Sequence, residues 1–128
     1  MGPLRTFVFI AGLSVAAASC GSDSPSSPSG GNDGTIAATL TISATGISPK
    51  TVTVPLGSRV TIINNDTKSH NMNSDPHPEH TQCPALNVGV LTSGQSRTSQ
   101  NLTTARACGM HDHDDSDNAA WKATITVQ

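Results

Sequence analysis

From Thr35 to the end of the chain, apolar and polar residues alternate in short runs separated by Gly and Pro turns. This period of two restricts the fold more than any other feature. Ile36, Ala38, Leu40 and Ile42 alternate with Ala37, Thr39 and Thr41, the pattern of a strand with one buried face. After a turn at Gly46-Ile47-Ser48-Pro49 the alternation resumes with Val52 and Val54, then after Pro55-Leu56-Gly57-Ser58 with Val60 and Ile62. Near the end, Trp121, Ala123, Ile125 and Val127 face one way, and Lys122, Thr124, Thr126 and Gln128 the other. Weaker strand candidates lie at Asn87–Leu91 and Ser96–Leu102, around the turn Thr92-Ser93-Gly94-Gln95. The β-branched content is high and no stretch of ten residues carries a helical stripe, so the spacing predicts an all-β domain of about seven to eight strands, a small sandwich or barrel.

The residues before this domain read differently. Arg5 precedes an apolar and small-residue run from Thr6 to Ala18, too short for a mature membrane span, and residues 1–19 read as an export signal. Ala17-Ala18-Ser19-Cys20 resembles a bacterial lipobox, in which Cys20 carries the lipid; an ordinary signal peptide cleaved nearby is the alternative. Residues 20–34 hold Gly, Ser, Pro, Asn and Asp after the cysteine and read as a flexible tether to the domain at 35–128. The expected location is the bacterial cell envelope, the outer membrane favoured because Gly21 offers no acidic retention cue, with the domain in the periplasm or at the cell surface.

Composition closes off several functions. Charged residues are 12% of the chain and the net charge is −2, without the clustered basic face that phosphate contacts need, so no nucleic-acid partner is expected. Phe7, Phe9 and Trp121 are the only aromatic residues besides histidine, too few for a face of stacked bases or sugars. Neither a Gly-x-Ser-x-Gly elbow nor a glycine-rich phosphate cradle is present. A β domain of this size buries only about two-thirds of its unfolded surface, and a disulfide or a metal would help hold it.

The chemistry-bearing residues form two groups. His70, Met72, His77, His80 and Cys83 lie in one stretch, and Cys108-Gly109-Met110-His111-Asp112-His113 in the other. Imidazole and thiolate suit copper or zinc, and Cys-x2-His on a tight turn would present one of each. Cys83 and Cys108 are also the only thiols left once Cys20 is lipidated, and in an oxidising compartment two such residues pair. A bridge and a copper thiolate at Cys108 exclude each other unless redox cycling switches between them.

The chain resembles the cupredoxins, the plastocyanin-like small blue copper proteins. The resemblance rests on Ile47–Val54, Gly57–Asp66, His70, Cys108-Gly109-Met110-His111 and the closing Thr124-Ile125-Thr126-Val127, in that order. It implies a Greek-key β-sandwich and one mononuclear copper site, with zinc as the lesser alternative. It also implies His70 and His111 as imidazole ligands and Cys108 as the thiolate. The family's axial Met after the second His is missing, and Met72, His113, His77 and His80 are possible extra ligands.

The resemblance points to an electron carrier or metal-binding module rather than an enzyme. Single-electron transfer would bring a redox protein as partner. The alternative is periplasmic copper storage or trafficking through a His-based site beside a Cys83–Cys108 disulfide, with a copper donor or acceptor as partner. Further alternatives are a metal-free structural domain and an enzyme: His111-Asp112-His113 faintly resembles the paired imidazoles of copper–zinc superoxide dismutases.

Overall fold

The computed structural model describes residues 34–128. The expected export signal, Cys20 and all of the expected tether but Gly34 lie outside the described residues. Nine strands fold into two mixed sheets. They are β1 (Ile36–Ser43), β2 (Gly46–Ser48), β3 (Thr51–Val54), β4 (Arg59–Asn64), β5 (His70–Ser74), β6 (Gly89–Leu91), β7 (Ser96–Thr98), β8 (Arg106–Asp112) and β9 (Ala123–Val127). One sheet runs β2-β1-β4-β7 and the other β3-β9-β8-β5-β6. Three short 3-10 turns, Pro84–Leu86, His113–Asp115 and Ala119–Trp121, complete the described secondary structure, and no described helix is long and apolar enough to cross a membrane.

The all-β sandwich is as expected, and its inner faces carry the alternation read from the sequence. Leu40 and Ile42 of β1, Val60 and Ile62 of β4, and Ile125 and Val127 of β9 are buried together with Ile47, Val54, Leu86 and Leu91. Removing a Leu or Ile side chain from water contributes roughly 1.5–3 kcal/mol, so these alternate positions supply the main drive for the two sheets to close. Ile36 departs from the pattern: it is exposed because the β1–β4 register shifts between Ile36 and Ala38. Trp121 also leaves the predicted strand, sitting in a 3-10 turn before β9 begins at Ala123.

The count exceeds seven to eight because segments expected to be turns or loops pair as strands. Gly46–Ser48 joins β1, and His70–Ser74 forms β5 against both β6 and β8. In β5 the alternation is real but polar: His70, Met72 and Ser74 are buried, and only Met72 is apolar. Pairing with β5 keeps β8 extended as far as Asp112, in the register Met72↔Asp112, Asn73↔His111, Ser74↔Met110. The expected tight turn over Cys108–His111 is therefore a continuous strand.

Candidate metal centre

Strand alternation decides where each expected ligand points. On β8, Cys108 lies opposite buried Ile125 and Met110 opposite Ser74, so both face the sandwich interior. His111 is three residues from Cys108 and lies opposite Asn73, on the outer face of the same sheet. The Cys108 sulfur is joined to Cys83, with the two Cα atoms 5.9 Å apart. Of the two chemistries open at Cys108, the structure forms the bridge.

His70 points inward, with Met72 and Asp112. Its Nδ1 is 2.7 Å from Asp112 Oδ2 and its Nε2 is 3.0 Å from Asp66 Oδ2, with all three side chains buried. Trp121 lies against the ring at 4.5 Å between centroids. Each acceptor needs a proton from the ring, so the arrangement is that of an imidazolium between two carboxylates, with no nitrogen lone pair left for a metal. The His70 hydrogen bond and, to a lesser degree, the Thr67 N–H hold the Asp66 carboxyl below its ordinary value, against the opposing effect of burial. Buried Asn64 sets up this turn by donating to the carbonyls of Lys68 and Leu91 and accepting from Asp66 N. Asp112 Oδ1 accepts from Asn71 N and Asp114 N, which fixes both ends of the clamp.

The set implied by resemblance is thus not assembled. His70 and His111 lie on opposite faces of the five-stranded sheet, Cys108 is bonded to Cys83, and Met72 is fully buried in the core.

The structure gathers a different set around His111. His77 and His80, from the segment after β5, lie over the outer face of β8, and one nitrogen from each of His77, His80 and His111 lies within 4.8 Å of the other two. His113 adjoins them, its Nδ1 2.8 Å from His80 Nε2. The centroids of His77 and His113 are 4.7 Å apart, those of His80 and His111 5.1 Å. The residues noted in the sequence only as possible extra ligands, Met72 aside, therefore converge.

Hydrogen bonds orient two of these rings for metal binding. His111 Nδ1 donates to Asp75 Oδ1 at 2.6 Å, so in the neutral ring the lone pair lies on Nε2. His80 Nδ1 donates to the Ser74 carbonyl at 2.8 Å, which leaves its Nε2 as the acceptor facing His113. Carboxylates and carbonyls behind imidazoles are the usual supports of metal-bound histidine, fixing the tautomer and raising ligand basicity. The His80 backbone is held as well. Its N–H donates to Pro76 O, its carbonyl accepts from Ser74 Oγ and Asn87 Nδ2, and its φ is 54°, a left-handed value few non-glycine residues adopt. Such conformations persist where the surroundings over-determine them, often at functional sites.

One atom lacks a partner. His111 Nε2 is buried and makes no hydrogen bond, the sole such side-chain nitrogen or oxygen among the described residues. An orphaned buried acceptor of this kind costs about 1–3 kcal/mol. The residues present fit a metal of the Cu(II) or Zn(II) class: clustered imidazole nitrogens, two with protons directed away from the cluster, and carboxylate support from Asp75.

Ser74, Asn87 and Gly109 gave no signal in the sequence, because their contributions pass through backbone groups that spacing does not reveal. Comparison with solved structures identifies the sandwich. The purple cupredoxin from Nitrosopumilus maritimus matches with a TM-score of 0.57 at 21% identity, covering 71% of this chain and 99% of that one. The fold is that of a cupredoxin. Plastocyanin from Dryopteris crassirhizoma matches at 0.55 and 17% identity, over 70% of this chain and 99% of its own. Auracyanin from the photosynthetic bacterium Roseiflexus castenholzii matches at 0.56 and 15%, over 75% and 99%. No family model matches the sequence, and no curated protein matches it. On this cupredoxin sandwich the imidazole cluster sits on the outer face of the sheet, separated by β8 from the disulfide.

Proposed function

We propose that the chain binds copper as Cu(II), with Zn(II) as the lesser alternative, through His77, His80 and His111. His113 joins them once its bond to His80 is exchanged for one to the ion. The observation that carries this reading is the buried, unpartnered Nε2 of His111, on a ring grouped with those of His77 and His80. Nitrogen donors bind Cu(II) more tightly than the other divalent first-row ions, which places copper ahead of zinc. The all-imidazole set lacks the thiolate that suits both oxidation states of copper, so storage or delivery is favoured over electron transfer. Exposed His77 and half-buried His80 and His113 leave the ion within reach of an exchange partner. With the envelope signal read at Cys20, the donor or acceptor would be another protein of the cell envelope.

The chain's own residues have separable tasks. Asp75 and the Ser74 carbonyl hold the His111 and His80 rings in the binding tautomer. Pro76 and Pro78 restrict the segment that carries His77. Bound copper would supply a Lewis-acidic centre that releases to a partner with competing donors.

The test is titration of the oxidised protein with Cu(II), read by electron paramagnetic resonance and visible absorption. One ion per chain in a nitrogen-rich environment, without an intense thiolate band, is expected; His111→Ala abolishes it and His70→Ala does not. An intense thiolate band accompanied by loss of the disulfide would overturn the assignment, as would full binding by His111→Ala. For the anchor, Cys20→Ala should release the chain from membranes; unchanged membrane association would refute lipidation there.

A further inference from the structure

The disulfide joins the two chain segments that carry the imidazole cluster. Cys83 ends the segment that carries His77 and His80, and Cys108 lies on β8, which carries His111. Beside the bridge, Gln82 repeats the connection: Gly109 N donates to Gln82 Oε1 at 2.7 Å, and Arg106 Nη1 donates to the Gln82 carbonyl at 2.8 Å, while at the other end of the segment Asp75 is bonded to Gly109 and His111. The bridge is also approachable. A groove of about 290 Å³ is lined by both cysteines together with Gln82, Pro84, Thr104 and Arg106. Within it Cys83 is 5% exposed and Cys108 1%, so Cys83 is the less deeply buried of the two.

We propose that Cys83–Cys108 is a redox site that accepts a dithiol reductant through this groove, and that its reduction weakens metal binding at His77, His80 and His111. The inference rests on the metal-binding reading above. A thiolate of the reductant attacks Cys83 Sγ, forming a mixed disulfide while the Cys83–Cys108 bond breaks and Cys108 leaves as thiolate. The second reductant thiol then displaces Cys83, closing the reductant's own disulfide. Two electrons pass from the dithiol to the protein, and its two protons end on Cys83 and Cys108. Arg106 gives the groove a positive charge, which favours an attacking thiolate. Once the bond is open, the segment 77–82 loses its covalent tie to β8, and the preorganisation of His77 and His80 over His111 declines. Coupling between sites commonly amounts to a factor of about 5–150 and is reciprocal, so the metal must make the bridge harder to reduce by the same factor.

Three measurements test this, with redox-inert Zn(II) as the probe. Reduction of the native protein by dithiothreitol should rise linearly in rate with dithiol concentration; a concentration-independent rate, limited by unfolding, would refute access through the groove. Zinc affinity of C83A/C108A, folded by circular dichroism, should fall about tenfold below that of the oxidised protein. In a glutathione buffer with zinc at saturation, the midpoint of the wild-type disulfide should move about 30 mV more negative for that tenfold factor, and should not move in His111→Ala. This last measurement stands even if C83A/C108A does not fold. Unchanged affinity together with an unmoved midpoint would make the bridge purely structural, and a midpoint shifted positive would mean that the freed thiols capture the metal. Both results overturn the coupling while leaving the His site intact. No zinc binding by the oxidised protein would overturn the metal reading itself.

Discussion

Replacing Gly109 with alanine places a methyl group against the Asp75 carboxylate. An ideal Cβ there would meet Asp75 Oδ2, lie 2.7 Å from Cγ and 3.3 Å from the Asp75 Cβ. The carboxylate has to move, because Asp75 is itself held to β8 by its N–H on the Gly109 carbonyl at 3.0 Å. What it gives up is the 2.6 Å bond to His111 Nδ1, made by a ring that is 1% exposed to a carboxylate that is 45% exposed. Hydrogen bonds to charged groups contribute about 1.5–3 kcal/mol, and the half-exposed acceptor argues for the low end. A loss of about 1.4 kcal/mol is tenfold in affinity, which also sits at the lower edge of the 10–100-fold effect of losing a support behind a metal-bound histidine. G109A is therefore expected to bind Zn(II) about tenfold more weakly in competition with a chromophoric chelator, with its strand content unchanged. D75A should lose about as much. The combined G109A/D75A variant should lose no more than either alone, since both act through one bond. It should also be more stable than G109A, because the clash is gone. Full affinity in G109A, or a double variant near a hundredfold weaker, would refute this chain of effects.

Three other substitutions probe the rest of the domain. His70→Ala removes the cation between Asp66 and Asp112 and should lower the thermal midpoint markedly while leaving zinc affinity at the wild-type value; a loss of binding with the fold intact would return His70 to the metal site. Asp66→Asn should destabilise the neutral protein, and the gap to wild type should close on acidification. The folded-state carboxyl titrates below its ordinary 3.8, so its contribution is present above that value and is lost as pH falls through the lowered one. Denaturant titrations from pH 7 to 2 measure the gap, and a constant difference would refute the linkage. C83A/C108A removes a cross-link of sequence separation 25 and should reduce unfolding free energy by about 3 kcal/mol, read by urea denaturation under oxidising conditions; a difference near zero would mean that the unfolded chain gains nothing from its release.

The sandwich was legible wherever burial needs apolar side chains. Leu40, Ile42, Val60, Ile62, Ile125 and Val127 announce their inward faces because threonine, lysine and other polar residues stand between them. β5 was illegible for the same reason. His70 and Ser74 occupy inward positions because Asp66, Asp112 and the His80 carbonyl satisfy them, and such polar partners leave no apolar period in the sequence. The histidines of the candidate site were all visible as clusters, and the possible bridge from Cys83 to Cys108 as a pairing of the remaining thiols. Which histidines share a site was not visible, since that depends on sheet faces rather than on order along the chain.

The difference between the ligand set implied by resemblance and the imidazole cluster observed comes down to strand parity. Residues three apart on an extended strand point to opposite sides, so Cys108 and His111 can approach one ion only if the chain turns between them. Here β5 pairs with β8 through Ser74↔Met110, Asn73↔His111 and Met72↔Asp112, and the backbone stays extended where the turn would have to be. Cys108 is thereby committed to the interior, where Cys83 meets it, and His111 to the exterior, where the segment that carries His77 and His80 covers it. The polar strand that escaped sequence reading is thus the element that relocates the chemistry. His70 at its start, held between Asp66 and Asp112, anchors the end of β5 inside the sandwich, away from the imidazole cluster on the outer face.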